Sequence, residues 1–126
     1  MFRRSIVLVA ALAAITLLIV ACGGGASSGG SGSGNALNVT VVNTEFKYEP
    51  ATIEAKPGQT VNLTLRNTGS IRHTWVLAAA NVKLVVDPGQ TTTRTFTAPS
   101  APGTYDITCD EAGHKEAGMV GKLIVK

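Results

Sequence analysis

From Leu37 to Lys126 apolar and polar residues alternate with a period of two, and turn formers interrupt the pattern about every 8 to 12 residues. No stretch of this region sustains a helical period, so helix-based folds are excluded and short strands remain. Asn38 to Asn43 reads as a first strand and Thr52 to Ala55 as a short second one. Lys56-Pro57-Gly58-Gln59 forms a turn, after which Val61, Leu63 and Leu65 face one way while Asn62, Thr64 and Arg66 face the other. Asn67 to Ser70 turns again before a strand over Thr74 to Leu77, followed by Val82 to Val86 and the turn Asp87-Pro88-Gly89-Gln90. Thr91 to Thr97 is a Thr-rich strand anchored by Phe96. Thr104 to Cys109 follows the turn Pro99 to Gly103, and Val120 to Lys126 closes the region with Leu123 and Val125 inward. Seven or eight short strands in about 90 residues predict an all-β sandwich, large enough to bury a modest core.

The first third of the chain follows different rules. Arg3 and Arg4 precede an apolar run from Ile6 to Ala21, the charged head and hydrophobic core of a secretory signal. The run is short for a membrane span, which takes about 20 apolar residues. It stops at Ile19-Val20-Ala21-Cys22, which resembles the bacterial lipobox, in which cleavage leaves the cysteine as a lipidated first residue. Residues 1–21 are therefore expected to be a cleaved leader, and Cys22 the lipidation site. Gly23 to Gly34 is Gly and Ser with one Ala, a composition that buries nothing and behaves as a tether about 20 Å long on average. The expected organisation is a leader over 1–21, a lipidated Cys and linker over 22–36, and one folded domain over 37–126, on the outer side of a membrane.

The formal charge of +3 says little about partners, because removing residues 1–21 takes two arginines and no acid, leaving nine basic residues against eight acidic ones. The basic residues are scattered singly, which argues against nucleic acid as a partner. Cysteine is equally sparse. With Cys22 acylated, Cys109 has no disulfide partner in its own chain, and a free thiol in an oxidising compartment is a liability unless a metal occupies it.

Cys109, His114 and Met119 stand at even intervals of five, and the other histidine, His73, heads the apolar stretch Trp75-Val76-Leu77. A thiolate, two imidazoles and a thioether form a soft donor set. Zinc sites are built from thiolate, imidazole and carboxylate, whereas copper electron-transfer sites pair His2Cys with a weak Met. Each residue taken singly has a plainer role: a strand-end histidine, a buried small thiol, a solvated loop histidine, a core methionine. Together they use both histidines, the one cysteine of the domain and its one methionine in a single ligand order.

Pro102-Gly103-Thr104-Tyr105, the run Cys109 to Gly113-His114, Gly118-Met119-Val120-Gly121 and the upstream His73-Thr74-Trp75-Val76-Leu77 resemble the cupredoxins, in particular auracyanin-like, azurin-like and plastocyanin-like small blue copper proteins. The resemblance spans about Leu37 to Lys126. It implies a Greek-key β-sandwich holding one type 1 copper ion at one end, with His73, Cys109, His114 and Met119 as ligands. Two positions depart from the family pattern. Ala112 stands where Pro is common, and Thr74 stands where an Asn often ties the two ligand loops together. A hydroxyl offering one bond predicts a slightly looser site. The amide that follows His73 is expected to donate to the sulfur, and Gly113 and Gly118, each preceding a ligand, are expected where the backbone turns sharply.

Three functions follow. The first is a membrane-tethered carrier of one electron between redox proteins, monomeric, with the His114 edge as the exit among Ala112, Ala117 and Ile71. The second is copper storage or delivery, which favours open sites with several Met or His. The third is an enzyme, which needs a second copper with its own histidines, and both are already used. The ligand loop also carries Asp110, Glu111, Lys115 and Glu116, with Arg72 beside the first ligand.

Overall fold

A computed structural model describes residues 35–126. The leader, Cys22 and most of the linker lie outside the described residues, as do the readings made of them. Nine strands form: β1 Leu37–Thr44, β2 Lys47–Glu49, β3 Thr52–Ala55, β4 Thr60–Asn67, β5 His73–Leu77, β6 Val82–Val86, β7 Thr91–Thr97, β8 Gly103–Thr108 and β9 Val120–Val125. One 3-10 turn at Ala78–Ala80 joins β5 to β6. The sandwich predicted from alternation is present, with strand limits moved by a residue or two. β2 is the strand that the sequence pattern did not disclose, because three residues are too few to display an alternation.

The strands divide into two sheets, ordered β2-β1-β4-β7 and β3-β9-β8-β5-β6. β1 pairs with β4 in parallel, as β3 does with β9, so the chain passes from one sheet to the other and back instead of running as consecutive hairpins. Alternation decides what fills the space between the sheets. On β4 the residues Val61, Leu63 and Leu65 are buried while Thr60, Asn62, Thr64 and Arg66 face outward. Val41, Trp75, Ile107 and Leu123 complete the inner layer, and Phe96 joins it from β7 as its pattern predicted. Phe96 lies 5.8 Å from Trp75, ring centre to ring centre.

Strand direction then creates one special end. β5 runs antiparallel to β8, with Val76 opposite Thr108, and β8 runs antiparallel to β9. The first residue of β5, the residue just after β8 and the residue just before β9 therefore meet at the same edge of the sandwich. Those residues are His73, Cys109 and Met119.

Candidate metal centre

His73 and Cys109 are almost completely buried and His114 is half-buried. Each offers one ligand atom, and these atoms lie within 4.8 Å of one another. His73 Nδ1 is 3.3 Å from His114 Nδ1, which is in turn 3.4 Å from Cys109 Sγ. Two ring nitrogens and a sulfur turned inward to one point are the arrangement expected of donors that share a cation. Burial, and then the neighbouring His114, lower the pKa of His73, which keeps its ring neutral and a lone pair available.

Met119 is fully buried. Its backbone closes the ligand loop at both ends, because its N–H donates to the His114 carbonyl at 3.0 Å and its own carbonyl accepts from Cys109 N–H at 3.2 Å. Between them the loop is wound tightly by His114 N–H to the Glu111 carbonyl, Ala117 N–H to Gly113 and Gly118 N–H to Lys115. Gly113 at φ 81° and Gly118 at φ 102° occupy the backbone region that side chains with a Cβ avoid, as their places before His114 and Met119 predicted.

The thiol is held from the first loop. Thr74 N–H donates to Cys109 Sγ at 3.4 Å, the bond expected of the amide that follows His73. The Thr74 hydroxyl accepts from Asp110 N–H at 2.9 Å and directs its one proton to Asp110 Oδ1 at 2.7 Å, with Cys109 Sγ also within 3.5 Å. This reciprocal pair ties the two loops together through Thr74 and the neighbouring Asp110. Lys83 Nζ approaches the other carboxylate oxygen at 2.6 Å, and these two bonds, Lys83 first and Thr74 second, hold the Asp110 carboxyl below its ordinary pKa. From below, the Tyr48 hydroxyl donates to the Thr74 carbonyl. Burial, together with the nearby Cys109, raises the Tyr48 phenol well above its usual value, which keeps it a donor. Asn67 Nδ2 donates to the Ile71 carbonyl at 2.7 Å and the Val86 carbonyl at 3.1 Å, which fixes the turn leading into His73.

One residue at the rim escaped sequence reasoning. Phe46 packs edge-on against the His114 ring with centroids 5.1 Å apart, and it stands exposed at a positive φ of 64°. A bulky apolar residue in left-handed backbone at a turn is uncommon and clusters at functional sites. The available signal was a large hydrophobe lodged in the turn between β1 and β2.

The donor set is thus chemically matched to copper: soft sulfur, two imidazoles, burial and a hydrogen bond to the sulfur. The family model described as "Cupredoxin-like domain" matches residues 9–125. The chain belongs to the cupredoxin family. Its cofactor is a copper ion. The copper-resistant cuproprotein CopI of Rubrivivax gelatinosus is 30% identical over 105 residues, covering 68% of this chain and 64% of that protein. The chain thus spans under two thirds of that relative's length. Among solved structures, dithionite-reduced auracyanin from the photosynthetic bacterium Roseiflexus castenholzii superposes with a TM-score of 0.65 at 25% identity, covering 72% of this cupredoxin and 98% of that chain. Auracyanin B matches at 0.64 and 26%, over 72% and 89% of the two chains.

Proposed function

We propose that this cupredoxin is a one-electron carrier, tethered by lipid on Cys22 to the outer side of a membrane, with His73, Cys109, His114 and Met119 holding its copper. The observation that carries this reading is the asymmetry of the donors, with His73 and Cys109 sealed inside the sandwich and the His114 ring half-buried at its surface. The ion supplies a centre that alternates between two oxidation states, and a site built on rigid strand ends reorganises little between them. His73 and Cys109, clamped through Thr74, keep the donor positions constant and exclude water. His114 provides the short route to the surface.

Phe46 lies against that ring, and Ala112 and Ala117 of the same loop and Ile71 ahead of His73 are exposed apolar residues. Arg72 pairs with Glu111 at 2.9 Å and Lys83 with Asp110 at 2.6 Å, while Lys115 and Glu116, next to His114 in the loop, are exposed and in no ion pair among the described residues. Exposed pairs contribute little to stability, and a redox partner docking here meets the apolar residues together with two free charges of opposite sign. Phe46→Asp is expected to leave the visible spectrum unchanged and slow electron exchange with a docking redox protein by about tenfold, the loss of one contact worth roughly 1.4 kcal/mol. Stopped-flow mixing measures it; an unaltered second-order rate would move the exit away from His114.

The tether rests on the apolar run ending at Cys22 and the Gly/Ser tract after it. In bacterial cells making the full chain, Cys22→Ala is expected to abolish incorporation of labelled palmitate. Undiminished labelling in that variant would remove the anchor from this reading.

The name of CopI favours a second reading, copper storage or delivery. A chelator separates the two. A carrier retains its ion over many redox cycles, whereas a delivery protein surrenders it rapidly to a mild competitor. An enzymatic role needs histidines for a further copper, and the sequence contains two in all.

A further inference from the structure

Three buried side-chain atoms among the described residues have no hydrogen-bond partner: His73 Nε2, Asn43 Nδ2 and Asn43 Oδ1. Asn43 is completely buried. It lies in β1 two residues after Val41, on the face turned toward the opposite sheet, at a position where an apolar residue of the same size would cost nothing. A buried amide with neither atom bonded is among the least favourable uses of a core position.

Its neighbours show what it faces. In register, Asn43 stands beside Tyr48 of β2 on one side and Asn67 of β4 on the other. Both flanking side chains reach across to the backbone around His73. The Tyr48 hydroxyl bonds the Thr74 carbonyl, and Asn67 Nδ2 bonds the carbonyls of Ile71 and of Val86, the residue paired with His73 across β5 and β6. Asn43 is the middle member of this row. Its side chain enters the same interlayer space as His73, which heads β5 with its side chain inward.

The imidazole supplies the other half of the argument. His73 Nδ1 lies 3.3 Å from His114 Nδ1, and once that nitrogen is given to a metal a neutral His73 ring carries its one proton on Nε2, which makes the buried orphan nitrogen a donor. Metal-bound histidines almost always donate that second N–H, and the partner sets both tautomer and ring orientation. We propose that Asn43 is the positioning residue for His73, its Oδ1 accepting the Nε2 proton so that the Nδ1 lone pair is permanently presented to the metal. The bond is not formed in the structure described, where Asn43 Oδ1 and His73 Nε2 are both buried and both lack any other partner. It satisfies two of the three orphan atoms at once. The metal half of this assignment rests on the copper-carrier reading, whereas the tautomer half does not.

The test is long-range 1H–15N NMR of the histidine rings in the full chain held in detergent micelles, first without metal and then with Zn(II), for the parent, Asn43→Leu and Asn43→Asp. In the parent, His73 is expected as a single tautomer protonated at Nε2, with a slowly exchanging proton that shows a through-space contact to the Asn43 side chain. Asn43→Leu, which keeps the volume and removes the acceptor, is expected to mix the tautomers, speed exchange of that proton and weaken Zn(II) binding by about 10- to 100-fold. Asn43→Asp restores an acceptor oxygen, and with it the Nε2–H tautomer. An Asn43→Leu protein that retains the parental tautomer, exchange rate and metal affinity overturns the proposal. So does a parent whose Nε2 proton shows no contact with Asn43, a result that depends on no variant folding. A parent with the single tautomer that nevertheless takes up no copper leaves this assignment standing and defeats the carrier reading instead.

Discussion

Cys109→Ser is expected to give a folded, colourless protein: the intense thiolate-to-copper band of the parent disappears and Cu(II) affinity falls by orders of magnitude. The sulfur is the softest donor in the set and the one that forms the strongly coloured bond, whereas a serine hydroxyl is a hard, neutral ligand at ordinary pH. The fold has little reason to change. Cys109 is 1% exposed and its sulfur is held by Thr74 N–H, a donor that a serine oxygen can also accept from. Replacing one buried hydrogen-bonded group by another of similar size costs about 1 kcal/mol. Visible absorption during Cu(II) titration measures the first effect, and thermal melting followed by circular dichroism measures the second. A parent protein that remains colourless with cupric salt, its thiol still reacting freely with a thiol reagent, would refute the copper assignment of Cys109 altogether.

Trp75→Ala carries the largest expected cost in stability, about 3–5 kcal/mol for a fully buried aromatic reduced to a methyl. Trp75 is 1% exposed, sits in the middle of β5 and packs against Phe96 of the opposite sheet, so it is the principal side chain joining the two layers. A domain of this size has a total stability of about 5–15 kcal/mol, and each kcal/mol moves its melting point by roughly 4–8 °C. The variant is therefore expected to melt on the order of 15–30 °C lower. Because the chain has a single tryptophan, unfolding must be followed by far-ultraviolet circular dichroism and not by indole fluorescence. The site suffers too, since Trp75 lies two residues from His73 on the strand that presents it. A loss below about 1 kcal/mol would mean that the sheets are joined mainly elsewhere.

How much of this was readable in advance differs residue by residue. The alternation in Val61 to Leu65 identified β4 and its inward face, because a strand turns successive side chains to opposite sides whatever it pairs with. The turn residues at Pro57-Gly58 and Pro88-Gly89 separated the strands for an equally local reason. The candidate donors were legible because Cys109, His114 and Met119 share one loop, and short spacing is a property of the chain itself; the fold brings His73, Cys109 and His114 together. Gly113 and Gly118 announced the same loop's sharp turns.

Other features had no local trace. Thr74 read as a weakened substitute until its hydroxyl was found bonded twice to Asp110, a partner 36 positions away. Phe46 drew no reading from the sequence, and only the fold lays its ring against His114. Tyr48, with no remarked place in the sequence, came to bond the Thr74 carbonyl, with Asn43 beside it in register. Each of these contacts depends on which strands are neighbours and in what register, and neither is written in any one segment.

By itself, then, the sequence determined the strands, their inward faces and the kinds of donor atom available, since these follow from residue type and short-range spacing. Only the tertiary structure decided which strand ends meet, and with that how deeply each donor is buried, what grips the sulfur and which ring reaches the surface. Parallel pairing of β1 with β4 and the crossing between sheets bring together residues dozens of positions apart, and their energies exist only once the layers have closed.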